Sequence, residues 1–136
     1  MKYLAAMALF AASCGQSNNK PVYLGFSADS SAIIVKDIDR NGLYQLQRDS
    51  LLLDSMNLID VVETPGENDS VAVEKTVSGR VKLRGDSLFF FPDTPFAAGK
   101  TYLVQTFINA RFAAGTDVLK AKLGTRVKPV SVTLTR

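Results

Sequence analysis

Beyond an apolar N-terminal run, the chain consists of short apolar stretches separated by turn residues, with no long run of 3.6-residue period that would demand a helix. This pattern predicts an all-β domain. The plainest strand is the last, where Val130, Val132 and Leu134 alternate with Ser131, Thr133 and Thr135, so that one face is buried and the other wet; Pro129 marks its start. Thr101 to Phe107 reads as a second strand, with Tyr102, Val104 and Thr106 opposing Leu103, Gln105 and Phe107. Leu88-Phe89-Phe90-Phe91 is a third, stopped by Pro92-Asp93-Thr94-Pro95 because proline lacks the donor that a ladder needs. Ile33-Ile34-Val35 and Leu43-Tyr44-Gln45-Leu46 flank Asn41-Gly42, a strong hairpin signal. Leu51 to Val62 fits either two short strands or one or two turns of helix starting at Ser50. The expected core includes Leu88, Phe90, Tyr102, Val104, Val132 and Leu134.

The N-terminal run departs from this pattern. One charge at Lys2, apolar residues from Tyr3 to Ala12 and small residues up to Cys14 have the layout of a signal peptide. The run is shorter than the ~20 apolar residues needed to span a bilayer, and polar Gly15-Gln16-Ser17-Asn18-Asn19-Lys20 follows. Leu9-Phe10-Ala11-Ala12-Ser13-Cys14 resembles the lipobox of bacterial lipoproteins, departing from it at Ala11, where that family has Leu. The resemblance implies cleavage before an acylated Cys14; ordinary cleavage after Ser13 is the alternative. Acylation also accounts for a solitary cysteine at a mature N-terminus. Residues 1–13 are then the signal peptide, 14–21 a lipidated tether and 22–136 a single domain of ordinary size. With no cysteine besides Cys14, that domain is stabilised by packing and not by disulfides.

Charge adds a second asymmetry. The formal net charge of +3 is too small to argue for nucleic acid as a partner. Residues 28–74 nevertheless hold ten acids and three bases, whereas residues 75–136 hold eleven bases and three acids. Two readings fit: mutual neutralisation within a folded sandwich, or a basic face toward anionic glycans or lipid headgroups. Asp-Ser recurs at residues 29, 49, 54, 69 and 86, and reads as turn punctuation, since both side chains bond nearby backbone donors.

Ser78-Gly79-Arg80-Val81, followed by the run from Gly85-Asp86-Ser87-Leu88 through Pro92, Gly99 and Tyr102 to Val104, resembles the bacterial Ig-like domain of the S-layer SbsA type. Ala114-Gly115-Thr116-Asp117-Val118-Leu119 is similar to the segment that follows in that family, so the likeness covers roughly residues 70–119. It implies an Ig-like antiparallel β-sandwich, here of about seven strands, that serves as a spacer, adhesive module or binding platform without catalysis. Regular strand spacing independently suggests a sandwich.

Candidate chemistry is sparse. The chain has no histidine, which excludes Ser-His-Asp and Cys-His catalysis and the usual zinc sites. Asp37-Ile38-Asp39-Arg40-Asn41-Gly42 has oxygen ligands at positions 1, 3 and 5 and glycine at 6, as calcium loops do, but Arg48 stands where the bidentate acid belongs. The candidate calcium ligands are Asp37, Asp39, Asn41, the Leu43 carbonyl and Asp49; a polar hairpin tip is the alternative. Arg84-Gly85-Asp86 matches the integrin-recognition tripeptide and equally a tight turn. Ser50, Ser55, Ser70 and Ser87 follow aspartates in a short bacterial O-glycosylation sequon, which turn chemistry also explains.

These readings lead to a non-enzymatic, lipid-anchored protein of the bacterial envelope, at the outer membrane on its periplasmic or surface face. Its expected partners are the membrane, through the anchor, and an envelope protein or glycan. An accessory subunit of a larger envelope assembly is the second reading, and a small glycan-acting enzyme the third. Cys14→Ala should abolish acyl labelling and leave the precursor unprocessed by the lipoprotein peptidase; continued labelling of that variant would refute the anchor.

Overall fold

A computed structural model describes residues 21–55, 57–68, 71–108 and 129–136. Cys14, Ser70 and the Ala114–Leu119 segment lie outside the described residues. Among the described residues, eight strands form two antiparallel four-stranded sheets. Sheet A has the order β1-β2-β6-β5, with β1 Tyr23–Phe26, β2 Ile33–Lys36, β5 Gly79–Arg84 and β6 Ser87–Pro92. Sheet B has the order β4-β3-β7-β8, with β3 Ile59–Glu63, β4 Lys75–Thr76, β7 Thr101–Thr106 and β8 Val130–Thr135. Two helices, α1 (Arg40–Arg48) and α2 (Leu51–Ser55), connect β2 to β3, and α2 lies beside β5. None of the described helices is long and apolar enough to cross a membrane.

The registers show why the sheets face each other. In sheet A, Leu24 pairs with Val35, Ile33 with Phe90, Val35 with Leu88, Val81 with Phe90 and Leu83 with Leu88, which puts all of these residues on one side of the pleat. In sheet B, Val61 pairs with Val104, Ile59 with Thr106, and Val104 and Tyr102 with Val132 and Leu134. The two inner faces merge into a single apolar cluster, completed by Leu46 from α1 and Leu58. Of the expected core, Leu88, Phe90, Tyr102 and Val104 are buried, while Val132 and Leu134 are half-buried and packed against it.

An aromatic group closes the end of the sandwich nearest the β6–β7 connection. Phe26, Phe96 and Tyr102 meet edge to face, with Phe96 and Tyr102 centroids 4.9 Å apart. The Tyr102 hydroxyl accepts the Ala97 N–H at 2.8 Å, and the Arg136 guanidinium donates to the Phe96 carbonyl. Inside sheet B, the buried Thr106 hydroxyl donates to the Leu58 carbonyl at 2.6 Å, so this core polar group is satisfied.

The Asn41-Gly42 hairpin does not form. Asp39 caps α1, its carboxylate accepting the Asn41 N–H at 2.9 Å, and Leu43 N–H bonds the Asp39 carbonyl. Ile38 and Leu43 occupy the two staple positions around that cap, while Gly42 and Leu46, a turn apart, are buried. Burial of this 3.6-period face outweighs the turn preference of Asn-Gly. Asp49 then ends α1 and, by accepting Leu51 N–H at 3.1 Å, starts α2. The Leu51–Val62 stretch is therefore one short helix followed by one strand.

Gly79 shows how closely β6 lies against its neighbour β5 within sheet A. A Cβ there would stand 2.6 Å from the Phe90 ring tip and would run into the Phe91 carbonyl. Gly79→Ala should therefore cost about 1–3 kcal/mol in urea denaturation, as overpacking does. An unchanged midpoint would show that the Phe90 ring does not lie over this residue.

Candidate binding face

The outer faces of the two sheets differ in chemistry. No strand of sheet A contains an aspartate or glutamate, and its outward positions carry Lys36 on β2 and Arg80, Lys82 and Arg84 on β5. Outward positions on β5 recur every second residue, about 6.8 Å apart. Between these cations lie Ile34, Phe89 and Phe91, all half-exposed, in a strip along β2 and β6. Sheet B presents Thr101, Gln105, Ser131, Thr133 and Thr135 outward, with Leu103, Val62 and one acid, Asp60. Its polar side chains bond one another across the strands: the Thr101 and Thr135 hydroxyls share a hydrogen bond, and the Gln105 amide donates to the Ser131 hydroxyl, each at 3.0 Å.

The aromatic strip organises the cations of sheet A. Phe89 and Phe91 stand nearly parallel, inclined by 13° with centroids 6.1 Å apart, as residues two apart on a strand can. The Arg84 guanidinium lies 5.5 Å from the Phe89 centroid and 5.1 Å from that of Phe91, and Lys82 Nζ is 5.9 Å from Phe91. At the opposite edge, Lys36 Nζ is 5.8 Å from the Tyr23 ring. That ring lies across Gly25, where a Cβ would come within 2.8 Å of its Cζ. Each such cation–π contact contributes about 0.5–1 kcal/mol at an exposed site, enough to bias long side chains toward the rings.

Acids near the face sit at its ends, in turns. Asp86 follows Gly85, whose φ of +61° makes the left-handed turn closing the β5–β6 hairpin, and its carboxylate accepts the Ser87 hydroxyl at 2.9 Å. Arg84-Gly85-Asp86 is thus a hairpin turn. In the β1–β2 turn, the Ser27 and Ser31 hydroxyls and the Ser31 N–H all bond Asp29, holding its carboxyl at about 2. Asp37, just after Lys36, adopts a φ of +58°.

The candidate calcium ligands are not brought together. Asp39 caps the start of α1, Asn41 and Leu43 lie within that helix, and Asp49 lies at its far end, about 15 Å from Asp39 along the axis. Among the described residues, no three acidic, histidine or cysteine side chains are grouped to hold a metal ion. The glycosylation candidates also part company. Ser50 is exposed between the helices and Ser55 is the last residue of α2. Ser87 is not on an exposed loop: it is 8 % exposed at the start of β6, its hydroxyl held by Asp86.

The cations of this face were not read from the sequence, although Arg80-Val81-Lys82-Leu83-Arg84 carries the signal for them: its period of two sends every cation to one side. The Phe89–Phe91 pair was hidden because the run Leu88–Phe91 is apolar on both sides. No protein family, curated protein or solved structure matches this chain.

Proposed function

We propose that the protein is an exported, lipid-anchored and non-catalytic envelope protein that binds an anionic component of the envelope through the outer face of sheet A. The observation that carries this reading is the segregation of charge: four cations and an aromatic strip on one sheet, hydroxyls on the other. The signal-like N-terminus and Cys14 support export and acylation. The absence of histidine, and of any cysteine but Cys14, supports a role without nucleophilic or zinc catalysis.

An Ig-like kinship is part of the same proposal. It is supported by the Ser78–Val104 resemblance and by the Tyr102 hydroxyl, bonded to the backbone five residues upstream at the start of β7 as the corner tyrosine of Ig-type sandwiches is. Domains of that kind act as platforms, which suits a face built for contact and not for turnover.

The test is retention on an anionic polysaccharide matrix. A variant with Arg80, Lys82 and Arg84 changed to Gln is compared with one of equal net charge in which Arg40, Arg48 and Lys75 are changed. The face variant should elute at clearly lower salt than both the control and the unmodified chain, because clustered cations act together and dispersed ones are screened beyond about 8–10 Å. Equal elution of the two variants would reduce the effect to net charge and remove the face as a site.

A further inference from the structure

We infer that the anionic component is the headgroup layer of the leaflet that holds the anchor, so that the outer face of sheet A lies flat on anionic phospholipid. This inference rests on the reading of that face as an anion-binding surface.

The first ground is the shape of the charge array. Lys36 is one position beyond the Val35–Leu88 pair, which puts it in the same row across the sheet as Ser87 and Arg84. Lys82 lies in the next row, with Phe89 and Ile34, and Arg80 in the one after, with Phe91. The cations therefore bracket the apolar strip in two dimensions, about 10 Å across the strands from Lys36 to Arg84 and about 14 Å along β5. A polymer laid along one strand would leave Lys36 unused, whereas a plane of headgroups meets all four cations at once.

The second ground is how the rings are used. Arg84 and Lys82 already lie against Phe89 and Phe91, so the strip presents capped rings and not bare ones for a sugar to stack on. Half-exposed rings level with basic side chains fit the boundary between headgroups and acyl chains, where such side chains keep their charge in the polar layer. Tyr23, 51 % exposed on the same face, matches that depth.

The third ground is where the chain enters the domain. β1 is an edge strand of sheet A and begins at Tyr23. With acylated Cys14, residues 14–21 reach at most about 30 Å when fully extended. The tether thus delivers this sheet's edge to the leaflet. A basic patch so placed gains about fivefold in affinity per cation near an anionic surface.

The chain has no tryptophan, so a single introduced one reports its own environment. Phe91→Trp on sheet A and Thr133→Trp on sheet B are prepared in the full, natively processed chain. Each is mixed with vesicles of phosphatidylcholine, or of phosphatidylcholine with phosphatidylglycerol. With the anionic vesicles, Trp emission from the Phe91→Trp protein should shift to the blue and resist an aqueous quencher, while that from the Thr133→Trp protein stays unchanged. Neutral vesicles should move neither. Adding Arg80→Gln, Lys82→Gln and Arg84→Gln to the Phe91→Trp protein should abolish the shift.

Equal shifts on both lipids, or a shift only from Thr133→Trp, would overturn the inference. No shift in a chain that still binds the anionic polysaccharide through Arg80, Lys82 and Arg84 would overturn the leaflet and keep the anion-binding face. Loss of both interactions would bring down the two readings together.

Discussion

Side chains on a strand alternate between its faces, and in β6 both faces are apolar. Leu88 and Phe90 point into the sandwich, where they meet Val35, Ile33, Leu83 and Val81; Phe89 and Phe91 point out, beside Ile34, Lys82 and Arg80. One register therefore sets both the core and the surface chemistry. A slip of one residue in β5 would put Arg80, Lys82 and Arg84 inside and turn Val81 and Leu83 out to solvent. Desolvating three unpaired cations is prohibitive, so the basic residues of β5 enforce the register as firmly as the apolar ones.

The same magnitudes explain why the cationic face persists without partners of opposite sign among the described residues. Neighbouring cations about 6.8 Å apart on β5 repel by roughly 0.6 kcal/mol in bulk water, and less in salt. Ring contacts of about 0.5–1 kcal/mol each offset this. The face is close to neutral in its effect on folding, and its charge remains available to a ligand. Lys100 differs: it pairs with Glu63 at 3.5 Å on an exposed part of sheet B, where such a pair adds little to stability.

Where periodicity and burial agreed, the fold was legible in the residues. β7 and β8 stand where the alternation of Thr101–Phe107 and Val130–Thr135 placed them, and the expected β-sandwich is present as two four-stranded sheets among the described residues. The helical alternative for the stretch after Ser50 is the one that forms, whereas the region from Asp37 to Arg48 was misread because Asn41-Gly42 carries a strong local turn signal. The information that overrides it, burial of Gly42 and Leu46 against the sandwich, is tertiary. The calcium reading depended on that hairpin and loses its geometry with it. On the binding face, the cations could be read from their period of two. The rings that hold them could not, because nothing local distinguishes the inner from the outer members of Leu88-Phe89-Phe90-Phe91.

The division of labour along β6 is the central claim, and two variants measured side by side address it directly: Phe90→Ala and Phe91→Ala, each by urea denaturation and by salt elution from the anionic matrix. Phe90 is 4 % exposed, so its truncation should cost about 3–5 kcal/mol while the elution of the folded fraction stays unchanged. Phe91→Ala should lose less stability than Phe90→Ala and elute at lower salt, because Arg84 and Lys82 lose the ring that places them. Comparable stability losses with no change in elution for either variant would contradict the account.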